Sequence, residues 1–339
     1  PSWLDTGVLL PSRGKTHDGG RRGEDGEFLV DVVIIAISEP PSLVRLAHDF
    51  LRRHCARLGD IYVISSQQSD APSGSIWVPE GSFPLRRSEL HDSVYRQLLK
   101  LLFFRTVPRS RRHAMMMDGN VLFLQDVEFL TAEGQGIHTR GDGMTSWDAT
   151  RTFANGGPGY VDFVEALLGF SRSDVTMGDP SQHASVHHMV CDRDTVEELF
   201  SFVDERVRQS YNISSGRESP VIGGDPHSVP DEGWEPWMTF VHVYAAHHTP
   251  MSTVLAHDPG LEGLTVHQIH ETSEYELYDA FASSSRVSVE SYHVRSLNST
   301  SLSFCFQYVN YIDKFKDEMH DDLSTTFGLD FVVCEPWME

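Results

Sequence analysis

Basic charge is what this chain has least of. Its 27 lysines and arginines face 49 aspartates and glutamates, a formal net charge of −22 over 339 residues. Such a chain repels a phosphate backbone unless it gathers a basic patch, so nucleic acid is a poor partner. A free nucleotide is not excluded, because one metal or one helix N-terminus can hold so small an anion. Cysteine is scarce too. Cys55, Cys191, Cys305 and Cys334 contain no CxxC pair, which argues against a structural zinc site. Cys55, Cys191 and Cys305 have apolar neighbours and read as buried thiols. No apolar run is long enough to span a bilayer, and no HExxH marks a zinc hydrolase. The start at Pro1 and two sequons, Asn212-Ile213-Ser214 and Asn298-Ser299-Thr300, tilt the expected location slightly toward a Golgi or secretory lumen over the cytoplasm.

What is present is the alternation of an α/β domain. Residues 1–27, with the Gly- and charge-rich stretch at 11–27, read as a flexible lead-in, and residues 28–339 as one domain with long loops. Phe28 to Ser38 is a continuous β-branched run, the pattern of a strand buried on both faces. Leu43, Leu46, Ala47, Phe50, Leu51 and Cys55 then recur at helical spacing, with Gly59 as the expected stop. Asp60 to Ser66 is the next strand, which completes a βαβ unit. A helix is expected at 91–104, strands at Met115–Met117, at "NVLFL" and at "HASVHHMVC", and a long loop over 131–160. Helices are expected at "YVDFVEALLGF", at "DRDTVEELFSFVDERV" with Asp194 as N-cap and Glu197 at N3, and at "SEYELYDAFA" with Ser273 and Glu276 as a capping box. "LTVHQIH" and "DFVVC" read as strands.

Ligands of open parallel sheets sit at the carboxyl ends of the strands. Ser38-Glu39, Asp118, His187-His188 and His270-Glu271 are expected at such ends. "MMMDGN" reads in two ways. Asp-Gly is a hairpin signal, and an acid at a strand end is also what holds a divalent cation on a diphosphate. Asn120 is a neutral and weaker oxygen ligand. His187 and His188, adjacent on a strand, face opposite sides, so only one can reach a shared ligand. Six further histidines (His242, His247, His248, His257, His267 and His270) crowd one region; most read as structural. Glu276 and Glu274 suit a helix start, and Glu274 could alternatively serve as a base there. Lys100, on an otherwise apolar helix, either snorkels to solvent or points at a phosphate. Trp234 and Trp237 read as core or loop anchors rather than sugar-stacking rings.

The segments "DVVIIAIS", "DIYVISS", "FPL", "RQLLKL", "MMMDGNVLFLQDVEF", "YVDFVEALLG", "VHHMVCDRDTVEELF" and "SEYELYDAFA" come in an order that resembles a family of glycosyltransferase-like proteins of GT-A architecture. The resemblance spans roughly residues 28–284. It implies a Rossmann-like domain that moves a sugar from a nucleotide-diphosphate donor, UDP-sugar first, to a hydroxyl of a glycan or glycoconjugate. It places Asp118 at the first acid of an Asp-x-Asp motif, with Asn120 where the second acid would stand. It implies Mn²⁺ or Mg²⁺ held by Asp118 and Asn120 with His187 or His188, and Glu274, then Glu276, as the base. Ser38, Lys100, Asp118 and Asn120 would bind the donor. The rivals are a catalytically inactive nucleotide-sugar-binding relative, a histidine-based metal hydrolase, and a transferase acting on nucleic acid.

Overall fold

The computed structural model describes residues 28–141, 159–170, 187–213, 235–247, 273–284, 293–297, 299–302 and 331–334. The expected lead-in at 1–27, the expected strand at 264–270 and most of the histidine-rich region lie outside them.

The chain is α/β, built on a mostly parallel five-stranded sheet. Strand β1 (Val30–Ile35) is completely buried and occupies the centre. Helix α1 (Pro41–His54) leads to β2 (Leu58–Ser65), then β3 (Ile76–Pro79) adds outside β2. Helix α2 (Asp92–Thr106) carries the chain back across the sheet to β4 (His113–Asp118), parallel to β1 on its other side. Beyond β4 lies β7 (His188–Asp192), the one antiparallel member, so the order is β3-β2-β1-β4-β7. Between them in sequence come β5 (Val121–Phe123), β6 (Ile137–Gly141) and α3 (Gly159–Leu168). The remainder is α4 (Arg193–Ile213), α5 (Pro236–His247), α6 (Glu274–Ala282), β8 (His293–Leu297), β9 (Ser299–Leu302) and β10 (Phe331–Cys334).

Alternation along β1 explains why it is apolar throughout. Val30, Val32 and Ile34 point into one core with α1 and β5, while Val33 and Ile35 point into the other with α2, α3, α4, α5 and α6. A strand covered on both faces has no solvent side on which to place polar residues. Leu98 to Phe104 of α2 are buried without a break, because α2 lies between the sheet and α6. Cys55 and Cys191 are buried free thiols, as expected, and Trp237 is a core ring. Among the described residues no helix is long and apolar enough to cross a membrane.

Several sequence expectations need correcting. Helix α1 ends at His54, five residues before Gly59; Cys55 is extended and bridges to Val127 instead. Gly59 lies inside β2, where a Cβ would stand 2.3 Å from Asp31 Oδ1. Asp31 is fully buried at the start of β1, accepting from the main-chain N–H groups of Asp60 (2.9 Å) and Arg111 (2.7 Å) as well as the Arg111 guanidinium. Glycine is therefore required by close approach to a buried carboxylate, not as a helix stop. The Asp-Gly pair turns the chain but makes no hairpin, since β5 leaves the main sheet and pairs with β10. The expected loop at 131–160 contains β6, paired with β8. Asp192, not Asp194, caps α4: its Oδ1 accepts from Thr195 N at 3.0 Å. The helix starts at Arg193, so only Asp192 stands outside its first turn.

Replacing Gly59 by alanine should push the added methyl into the Asp31–Arg111 pair. The expected loss is about 1–3 kcal/mol, read as a lower urea midpoint with an unchanged slope.

Candidate functional site

Strands β1 and β4 are neighbours, yet the chain leaves their carboxyl ends in opposite directions. From β1 it goes to β2 and β3; from β4 the sheet continues to β7. Where strand order diverges in this way, the space outside the two strand ends is the place where open α/β sheets take ligands, here called the crevice. Ser38 and Glu39 follow β1 there, and Asp118 ends β4. Gly119 brings them together. Its N–H donates to Ile35 O at 3.1 Å, and a Cβ would lie 3.0 Å from that oxygen and 3.3 Å from Glu39 Cγ.

Helix α2 points Lys100 into this crevice from beneath. The lysine is 2% exposed. Its Nζ donates to Asp118 Oδ1 at 2.7 Å, to Glu274 Oε1 at 2.6 Å and to Tyr275 OH at 2.6 Å. An ammonium has three N–H bonds, so these partners satisfy it completely. Nζ also lies 4.3 Å from the Tyr275 ring centroid. Burial alone would pull the lysine pKa down, but the charges of Asp118 and Glu274 outweigh it and hold the pKa above its ordinary value. For Asp118, burial alone would raise the pKa. The Lys100 charge, the bond from His187 and the Arg96 charge reverse this and keep the carboxyl well below the usual carboxylate range. Asp118 is therefore an ionised acid at neutral pH.

Asp118 Oδ2 faces His187 Nδ1 at 3.2 Å. An ionised carboxylate only accepts, so Nδ1 carries the proton in that bond. Main-chain pairing supports the contact: Asp118 N donates to His187 O at 3.2 Å. His187 has φ +58°, a left-handed backbone at the entrance to β7. Because β7 runs antiparallel to β4, its amino end meets Asp118. The expectation of His187 at a carboxyl strand end is thus corrected, although it does reach the site.

Arg96, one helical turn before Lys100 on α2, closes the other side. Its guanidinium pairs with the Glu39 carboxylate, lies 3.6 Å from Asp118 Oδ1 and donates to Ser38 Oγ at 3.5 Å. Its side chain is 26% exposed against 3% for Lys100, so it is the cation on the solvent side. The cluster thus holds three carboxylates, Glu39, Asp118 and Glu274, against the two cations Lys100 and Arg96.

Of the residues singled out from the sequence, Ser38, Lys100, Asp118, Glu274 and His187 converge. His188 does not. It is 1% exposed, edge-on to Phe123 and Phe129 with ring centroids 5.1 and 5.7 Å away, within the core on the α1 side of the sheet. Glu274 is the acid bonded to Lys100, whereas Glu276 gives its main-chain N–H to Ser273 Oγ at 3.3 Å in the expected capping turn. Asn120 occupies the two-residue link between β4 and β5. Arg96 and Tyr275 were missed. Arg96 was legible, because i and i+4 share a helix face and Lys100 was already suspected. Tyr275 had no signal of its own beyond adjacency to Glu274.

The donor set does not fit a divalent metal. Asp118 already has an ammonium at one oxygen and the His187 N–H at the other, Asn120 is neutral, and His188 is enclosed by aromatic rings. Among the described residues no group of three His, Cys, Asp or Glu side chains is arranged to hold a metal ion. Of the histidine-rich region, His242 is half-buried on α5 and His257, His267 and His270 lie outside the described residues.

Asp118→Asn keeps the shape and removes the ion pair. At neutral pH the variant should lose about 3 kcal/mol, the lower end of what breaking a buried pair costs. A depressed folded pKa stabilises only above the unfolded value, so the deficit should shrink as pH falls below about 4. Urea unfolding of both proteins across a pH series measures this.

No family model matches the chain and no curated protein matches it in sequence; what the cluster does rests on its own chemistry.

Proposed function

We propose that the chain binds a nucleoside-diphosphate sugar at the crevice between β1 and β4 and transfers the sugar to a hydroxyl of a glycan or glycoconjugate. The observation that carries this is the pairing of an ionised acid at the end of β4 with a second acid from α6 through one buried lysine, at the topological switch point of the sheet. Carboxylates that only accept hydrogen bonds suit the hydroxyls of ribose and sugar. A guanidinium fork suits phosphate oxygens in two-point contact. Lys100 has no N–H to spare, so the phosphate contact falls to Arg96, which meets the donor by exchanging its bond to Glu39.

In an inverting transfer the acceptor oxygen attacks the anomeric carbon as the bond to the diphosphate breaks, and a base takes the acceptor proton. We assign that role to Glu274. It can act only by exchanging its bond to Lys100 for one to the acceptor hydroxyl. That requirement also favours a second reading, a nucleotide-sugar-binding relative without turnover, since Glu274 is 3% exposed and tied to the lysine.

Thermal shift with UDP-, GDP- and CMP-sugars separates these from other functions. A UDP-sugar is expected to raise the midpoint, and silence across the panel would overturn the reading. Arg96→Ala should weaken donor binding about ten- to a hundredfold, the worth of a charge-assisted contact to phosphate. Product analysis with an acceptor panel then distinguishes transfer from binding alone.

A further inference from the structure

We propose that the Lys100 ammonium is the resident cation of this site, standing between two carboxylates where a divalent metal would otherwise stand, so that a nucleoside diphosphate binds without divalent metal. The nucleotide half of this rests on the donor-site reading above.

Geometry carries the argument. One oxygen of Asp118 and one of Glu274, brought from the end of β4 and the start of α6, meet the same Nζ at 2.7 and 2.6 Å. Two carboxylates so close to one point need a positive charge between them. A metal ion could supply it, but here it is supplied by a side chain covalently fixed to α2. The third N–H goes to Tyr275 OH at 2.6 Å, which closes the sphere around the nitrogen. Lys100 itself is 2% exposed, so the ammonium is held away from bulk water. To enter, a metal would have to expel the lysine from its ion pairs into low-dielectric surroundings, at an effective cost of several kcal/mol.

The second oxygen of Asp118 is engaged as well. Its Oδ2 accepts from His187 Nδ1, so on that side the carboxylate meets a proton and not a metal-ligating lone pair. Asn120, at the position that would complete an Asp-x-Asp pair, adds no charge. The positive charge that a bound diphosphate still needs comes from Arg96, whose 26% exposure and partner Glu39 leave it exchangeable.

MnCl₂ alone, titrated by calorimetry into the full chain, tests the cation half. The wild-type chain should show no Mn²⁺ uptake that Asp118→Asn abolishes. Lys100→Ala removes the ammonium and leaves the two carboxylates facing a gap; it should gain a Mn²⁺ site, seen as a Mn²⁺-dependent rise in melting temperature that the added Asp118→Asn change removes. UDP titrated in EDTA and in MnCl₂ should bind the wild-type chain with affinities within about twofold of each other. The inference is overturned if the wild-type chain binds Mn²⁺ through Asp118, if a folded Lys100→Ala gains no site, or if Mn²⁺ tightens UDP by about tenfold or more. If Lys100→Ala does not fold, the wild-type and Asp118→Asn titrations decide. Failure of UDP to bind in either buffer sinks the donor-site reading instead, while the Mn²⁺ titration still decides whether lysine holds the cation position.

Discussion

A single ammonium in an apolar layer sets the terms for this fold. Lys100 is the one charged residue in the buried stretch of α2 from Leu98 to Phe104, a helix enclosed by sheet and helices. Left alone there it would lose its proton or pull the helix toward water. It keeps its charge because two carboxylates and a phenol converge on it, Glu274 and Tyr275 from α6, 174 and 175 residues further along the chain. Asp118 in turn needs the lysine, whose charge does most to offset the burial of its carboxyl. The cluster is therefore mutually dependent, and it ties together β4, α2 and α6.

The same cluster explains how the crevice acquires its chemistry. Parallel strands β1 and β4 end together, and Gly119 allows the turn after β4 to press against Ile35 and Glu39. The reversed strand β7 then delivers His187 to the edge where the parallel strands finish. Arg96 spans from this pair to Glu39. These side chains come from the end of β1, from α2, from β4, from the entrance to β7 and from α6, so the constellation depends on the assembled sheet and its helices rather than on one loop.

Much of the sheet was legible because both its faces are covered. Continuous β-branched runs and helical spacing pointed to β1, α1, β2, α2 and β4, and the apolar length of "MMM" pointed to Asp118 as a strand end. Boundaries slipped where glycine had two explanations. Gly59 looks like a helix stop from the sequence, yet it is glycine because Asp31 lies against it from another strand. The hairpin signal at Asp118-Gly119 failed for a related reason: the turn is real, but the partner of β5 is β10, about two hundred residues away. Lys100 was visible as an anomaly on an apolar helix. That it would be saturated was not, because its three acceptors lie on segments whose convergence no local pattern encodes.

Saturation also decides how the site can respond to a ligand. A side chain with every donor satisfied contributes field and position, not a new bond, so Lys100 holds Asp118 ionised and aimed without contacting the ligand itself. Change must enter through the more exposed groups, Arg96 and Ser38, with Glu39 behind them as the carboxylate that Arg96 would release. On the proposed function, an anion arriving there takes the guanidinium from Glu39, so one negative partner of Arg96 replaces another. Glu274 is linked to that exchange only through Lys100, which it shares with Asp118. If Glu274 is the base proposed above, freeing it for proton transfer alters the same cation that holds Asp118, which is the physical content of placing both acids on a single nitrogen.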